Sequence, residues 1–167
     1  SMKNTIYILL GANLGDPILQ IREACTLLAL QLGKIIAISS IYESEAWGVT
    51  EQPLFYNQVL ILETEMLPLA CLACTQEIEV KLGGVRAEKW GARVIDIDIL
   101  YFNNAIINTE ILTIPHPYIH LRNFTLLPLV EVASNYVHPL LNKTNEQLAL
   151  DSEDKLGVRK TNSKNGI

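Results

Sequence analysis

The sequence predicts an α+β fold, and three observations point there. Short β-branched and apolar runs alternate with two long stretches of helical periodicity. Apolar residues make up 49% of the 167 positions against 19% charged, which is enough to build a substantial core within a single domain spanning 1–167. No internal repeat or linker divides the chain.

Thr5 to Leu10 is a β-branched and apolar run closed by Gly11, and reads as a first strand. In Asn13-Leu14-Gly15-Asp16-Pro17, Asp16 is placed to cap a helix and Pro17 to occupy its first position. Ile18, Ile21, Cys25, Leu28 and Leu32 then form one helical stripe, ended by Gly33. Ile35 to Tyr42 reads as a second strand and Phe55 to Glu65 as a third, separated by the polar loop 43–53. Pro68 opens a second helix, expected to stop near Leu82 at Gly83-Gly84. A basic loop follows, then a fourth strand from Val94 to Phe102. Asn103-Asn104 signals a hairpin into Ala105-Ile106-Ile107, Pro115-His116-Pro117 opens a loop, and Phe124 to Ala133 suggests a short helix. The polar tail 152–167 is expected to be loosely held. The order strand, helix, strand, strand, helix, strand matches the ferredoxin-like βαββαβ core, an antiparallel sheet with the two helices packed on one face. That arrangement is expected to set the first and fourth strands side by side at its centre.

Composition excludes several classes. A formal charge of −5 argues against a nucleic-acid partner, which calls for a basic face. No apolar run is long enough for a membrane span, and the start lacks the apolar segment of a secretion signal, with Ser1 before Met2 reading as a cloning remnant. Three cysteines cannot all pair, which suits a reducing, cytoplasmic setting. Cys71-Leu72-Ala73-Cys74 falls inside a helix and has no second pair, so neither a redox couple nor a zinc site is expected there.

The chemistry concentrates in residues 86–100. Asp96 and Asp98 interrupt an apolar strand, on the face opposite Ile95, Ile97 and Ile99, with α-carbons about 7 Å apart. Two carboxylates so close repel one another unless a cation lies between them. A structural ion pair with Arg86 or Arg93 is the plain reading. The apolar strand, with Arg86, Lys89, Trp90 and Arg93 beside it, favours a metal–nucleotide site instead, because Mg²⁺ takes carboxylate oxygens and shares its shell with phosphates.

Three ordered segments carry a resemblance. Gly11-Ala12-Asn13-Leu14-Gly15-Asp16 is similar to a G-S-N-L-G-D opening, and Trp90-Gly91-Ala92-Arg93-Val94-Ile95-Asp96-Ile97-Asp98-Ile99-Leu100 to an R-W-G-P-R-x-x-D-x-D-x-L signature. Pro115-His116-Pro117, Arg122-Asn123-Phe124 and Leu127-Pro128-Leu129 continue the match. Together they resemble hydroxymethyldihydropterin pyrophosphokinase of folate biosynthesis, in register from about Ile6 to Val137.

The resemblance implies transfer of the ATP diphosphate to the hydroxymethyl group of a reduced pterin, giving AMP, in a monomer. It implies two Mg²⁺ ions on Asp96 and Asp98, with Arg86 and Arg93 as catalytic phosphate clamps. ATP would meet Gln76, Arg86, Lys89, Trp90, Arg93, Ile99, His116 and Arg122. The pterin would meet Ser44, Trp47, Phe55, Asn57, Trp90 and Phe124. Glu79 lies near the metal side without a role. Loops 43–53 and 83–92 are expected to act as lids that shut out water. Ala12, Ala46, Gly84, Lys89 and Ala92 depart from the family pattern, and lysine at 89 keeps the charge while losing the bidentate fork. Two rivals stand beside this reading: a Mg-dependent transferase with another acceptor, and a non-catalytic module of the same fold.

Overall fold

Nine residues of apolar and β-branched character build the first strand, β1 (Asn4–Ala12), and the rest of the sheet grows from it. The computed structural model describes residues 2–45, 53–90 and 94–164, with residues 84–90 and 163–164 given as backbone alone. In order, the chain forms β1, α1 (Pro17–Gln31), β2 (Lys34–Ile38), β3 (Ser40–Ser44), β4 (Phe55–Thr64), α2 (Pro68–Trp90) and β5 (Asp96–Phe102). The short strands β6 (Ile107–Asn108) and β7 (Thr113–Ile114) follow, then α3 (Asn123–Ala133), α4 (Asn145–Asp151) and β8 (Val158–Lys164). The sheet order is β5-β1-β4-β3-β8, with β2 also paired to β4, and every named pairing is antiparallel.

The βαββαβ core and the adjacency of β1 and β5 match the expectation. The aspartate strand, however, is not central: among the described residues β5 pairs only with β1 and lies at the end of the sheet order. Its outer backbone groups are satisfied from elsewhere, as the Ile97 N–H donates to Glu79 Oε2 at 2.9 Å and the Leu100 carbonyl accepts from the His116 N–H at 2.9 Å.

Two apolar cores sandwich the sheet. On one face Ile6, Ile8, Leu10, Ile97 and Ile99 pack with Ile21, Leu28, Cys71 and Ile78 from α1 and α2. On the other, Leu9, Val59, Leu100 and Tyr101 pack with Leu126 and Leu129 of α3 and Leu148 of α4. The second layer was not foreseen beyond the helix at 124–133. α4 had a readable signal, since Thr144 and Gln147 form a reciprocal capping box.

Four further expectations are corrected. The single strand at 35–42 is split at Ser39, a buried residue whose Oγ accepts from the Val59 N–H at 2.9 Å and donates to the Ser40 carbonyl at 2.7 Å. The helix does not stop at Gly83-Gly84 but runs to Trp90, so most of the expected basic lid 83–92 is helical; a glycine in a helix costs only about 1 kcal/mol. Asn103 turns the chain with φ 50°, yet β6 pairs with β7 rather than with β5. Within the described part of the tail, Val158–Lys164 is ordered as a strand added to β3. Among the described residues no helix is long and apolar enough to cross a membrane.

Candidate active site

The register of three strands lays out the site. Gly11 on β1 sits between Asp96 of β5 and Asn57 of β4, while Leu9 faces Asp98 and Val59 in the next row. Asp96, Asp98 and Leu9 share the face that carries α3 and α4, opposite Ile97 and Ile99. With strands spaced about 4.8 Å, Asp96 and Asn57 stand about 10 Å apart across the gap that Gly11 leaves. A Cβ at Gly11 would lie 2.8 Å from Asn57 Nδ2, so the glycine gives the amide its room.

This floor opens into a cavity of about 270 Å³ lined by Leu9, Gly11, Ser44, Glu45, Phe55, Asn57, Asp96, Asp98, Arg122, Phe124 and Leu156. Of the residues singled out from the sequence, Ser44, Phe55, Asn57, Asp96, Asp98, Arg122 and Phe124 converge here. Asn57 is buried and donates through Nδ2 to the Leu10 carbonyl at 3.1 Å, which fixes its orientation. Its amide oxygen and second proton are then the groups that can address the edge of a ligand. The cavity therefore has an aromatic and amide end, Phe55, Phe124 and Asn57, and an acidic end, Asp96 and Asp98.

Arg122 joins the two ends. Its guanidinium carbon lies 5.0 Å from the Tyr118 ring centre and 5.1 Å from that of Phe124. Burial lowers its pKa, and the Asp98 carboxylate works against that shift. Its buried Nε has no hydrogen-bond partner among the described residues. Next to it, His116 is anchored through its backbone bond to Leu100, and its Nδ1 accepts from the Tyr118 N–H at 3.1 Å. Burial, with the Arg122 charge adding to it, pushes the imidazole down to about 4. At neutral pH it is uncharged, with Nε2 carrying the proton because Nδ1 is an acceptor.

Other candidates lie elsewhere. Ile99 packs in the core on the opposite face, so only its backbone remains to meet a nucleotide. Gln76 is exposed on α2. Arg86, Lys89 and Trp90 are on the final turns of α2, where the backbone alone is described, while Trp47 and Arg93 lie outside the described residues. Leu9, Gly11, Glu45 and Leu156 line the cavity without having been singled out as site residues. Gly11 had a readable signal in the glycine that closes an apolar strand. Glu79, left without a role, is the acceptor that holds β5 at Ile97.

The carboxylate pair is an open donor set. Asp96 and Asp98 share a face and a cavity, and among the described residues no group of three or more His, Cys, Asp or Glu is placed to hold an ion. Two carboxylates do not make a closed site. They fit a hard divalent cation that completes its shell with water and phosphate oxygens.

The chain matches the family model for 7,8-dihydro-6-hydroxymethylpterin-pyrophosphokinase (HPPK) over residues 7–134. It is 41% identical over 139 residues to the 2-amino-4-hydroxy-6-hydroxymethyldihydropteridine pyrophosphokinase of Aquifex aeolicus, covering 83% of this chain and 86% of the relative. The protein of the same name from Bacillus subtilis is 38% identical over 168 residues, covering 99% and 95%. Among solved structures, Plasmodium falciparum HPPK-DHPS superposes with a TM-score of 0.75 at 21% identity, over 89% of this chain and 43% of that one. That likeness bears on the fold, and this chain spans less than half of the Plasmodium protein. With the family model matched along most of its length and relatives of that name near 40% identity, the chain belongs to the 7,8-dihydro-6-hydroxymethylpterin-pyrophosphokinase family.

Proposed function

We propose that this chain transfers the terminal diphosphate of ATP to the hydroxymethyl group of 6-hydroxymethyl-7,8-dihydropterin, releasing AMP and the pterin diphosphate in folate synthesis. One observation carries the reading beyond the family match: a single cavity holds an aromatic, amide-edged end and a paired-carboxylate end. A flat heterocycle with an amide-like edge suits the first, and a metal-bound triphosphate suits the second.

In the reaction the hydroxymethyl oxygen attacks the β-phosphorus in line. The new O–P bond forms as the bond to the α-phosphate oxygen breaks, AMP departs, and the hydroxyl proton is released. Asp96 and Asp98 would hold two Mg²⁺ ions, which supply charge neutralisation and orientation of the attacking and leaving oxygens. The protein's own part is positioning. Phe55 and Phe124 offer faces to the ring, and Asn57 reads its edge. Ser44, 1% exposed at the end of β3, closes the same side. Arg122 and neutral His116 provide donors for phosphate oxygens beside Asp98. Arg86, Lys89 and Arg93 would add the remaining positive charge, and Trp47 and Trp90 would cover the bound pterin. Three free cysteines fit a reducing cytoplasm, where the chain would act as a monomer with ATP and the pterin as its partners.

The test is a product assay with Mg²⁺, ATP and the reduced pterin, in which AMP is separated from ADP. Pterin-dependent AMP without ADP is expected. ADP, or AMP formed at the same rate without pterin, would reject the acceptor.

A further inference from the structure

Leu156 lines the cavity from a stretch without regular secondary structure, beyond the residues that carry the sequence motifs. Such a residue contributes to binding only if something holds it still, and here the restraints are specific. One oxygen of the Asp154 carboxylate accepts from the Leu156 N–H at 3.0 Å. The other accepts from the Asn123 N–H at 2.8 Å, at the first residue of α3. Asn123 Nδ2 also donates to the Asp154 carbonyl at 3.2 Å, and the Asp154 N–H donates to Ser152 Oγ at 3.2 Å. A single carboxylate thus ties Leu156 to the residue just before Phe124. Its charge also lies against the positive end of α3, which favours it.

Two residues after Leu156 the chain enters β8. There Val158 pairs with Ser44, another cavity residue. Farther along, Arg159 Nε meets Glu43 Oε1 at 2.7 Å and Thr161 Oγ1 donates to the Ile41 carbonyl at 2.7 Å. Glu131 of α3 knits the same corner. Burial alone would raise its pKa, but hydrogen bonds from Tyr42 and Ser40, together with Lys160, hold it below the usual carboxylate range. These ties run to β3 and α3, the elements bearing Ser44 and Phe124, at the aromatic end of the cavity.

We infer that the segment 152–164 is a working wall of the acceptor subsite, in which Leu156 packs against the pterin and Asp154 is the positioning residue that sets Leu156 relative to Phe124. The inference rests on the reading of this cavity as the pterin site. An aliphatic side chain clamped between a helix start and a strand edge keeps water from the rim of a flat ring at little entropic cost, because its backbone is already ordered.

The experiment uses the full chain and four proteins: wild type, Leu156→Ala, Leu156→Met and Asp154→Ala. Each is titrated with the reduced pterin in the presence of a non-hydrolysable ATP analogue, and with the analogue alone. Leu156→Ala is expected to weaken pterin binding by at least about tenfold, the lower end of what a missing methylene is worth in an apolar pocket. Analogue affinity should stay within about twofold, and Leu156→Met should restore most of the loss because it conserves volume. Asp154→Ala should raise the pterin KM while leaving the ATP KM unchanged, a split that general loss of folded protein does not produce. Wild-type pterin affinity in Leu156→Ala, or an equal loss for pterin and analogue, overturns the inference and leaves the proposed function standing. A wild type that binds the analogue but no pterin overturns both.

Discussion

Replacing Gly11 by alanine tests the site floor most directly, because stability and binding should respond differently. The new Cβ would fall 2.8 Å from Asn57 Nδ2, inside van der Waals contact. Asn57 is only 6% exposed and is bonded to the Leu10 carbonyl at 3.1 Å, so it cannot yield without breaking that bond. The lost bond costs about 1 kcal/mol, while removing a glycine from a strand interior returns roughly 0.5–1 kcal/mol of backbone entropy. The two nearly cancel, and the melting temperature should move by no more than about 4 °C. Binding has no such compensation. If Asn57 gives the pterin edge two hydrogen bonds, misplacing it forfeits about 2–3 kcal/mol, or roughly 30–150-fold in affinity. Titration calorimetry with the reduced pterin and an ATP analogue, beside a thermal melt, reads both quantities. Unchanged pterin affinity in Gly11→Ala would refute the claim that Asn57 reads the ligand, and an equal drop in analogue affinity would refute the division of the cavity into two ends.

Asp96→Asn and Asp98→Asn should each abolish pterin-dependent AMP formation while leaving the melting temperature near wild type; near-normal turnover in either removes the metal assignment. Phe124→Ala should weaken pterin binding on the order of tenfold and spare ATP, so an equal loss of both would make Phe124 a plain core residue. Acid should destabilise the protein through buried His138 and half-buried His116. Burial, reinforced by Arg122 at His116 and by His120 at His138, lowers both to about 4 from the ordinary 6.5. Between those values the unfolded chain binds protons that the folded chain refuses. The histidine contribution is therefore complete above pH 6.5 and is lost as pH falls towards 4. Urea unfolding at pH 7.5, 5.5 and 4.5 measures this, and equal stability at all three would contradict the burial of both rings.

What the sequence made legible was the placement that alternation and motif order encode. Asp96 and Asp98 fall on one face because side chains alternate, and Phe55, Asn57, Arg122 and Phe124 meet them in one cavity although they lie far apart in the chain. What stayed hidden depended on partners that no local pattern announces. The edge position of β5 follows from which strands pair, not from the apolar character of Ile97 and Ile99. β8 reads Val158-Arg159-Lys160-Thr161-Asn162-Ser163-Lys164, with no apolar alternation, because it closes an edge and its side-chain ties are polar. The break at Ser39 has no local signature, because one hydroxyl replaces a rung of the ladder and nothing in Ile35–Tyr42 marks that substitution.

The outer side of β5 has a consequence for handling the protein as well as for its chemistry. An open strand edge invites the edge of another molecule, and proteins normally guard against this with a charge, a bulge or a cover. Here the cover is the Glu79 side chain at Ile97 and the His116 backbone at Leu100. The segment that brings the His116 imidazole towards Arg122 is thus the one that keeps β5 from joining a neighbour. Changes that loosen residues 114–117 should therefore reveal themselves in concentrated solution as intermolecular β-association, visible by light scattering alongside any fall in turnover.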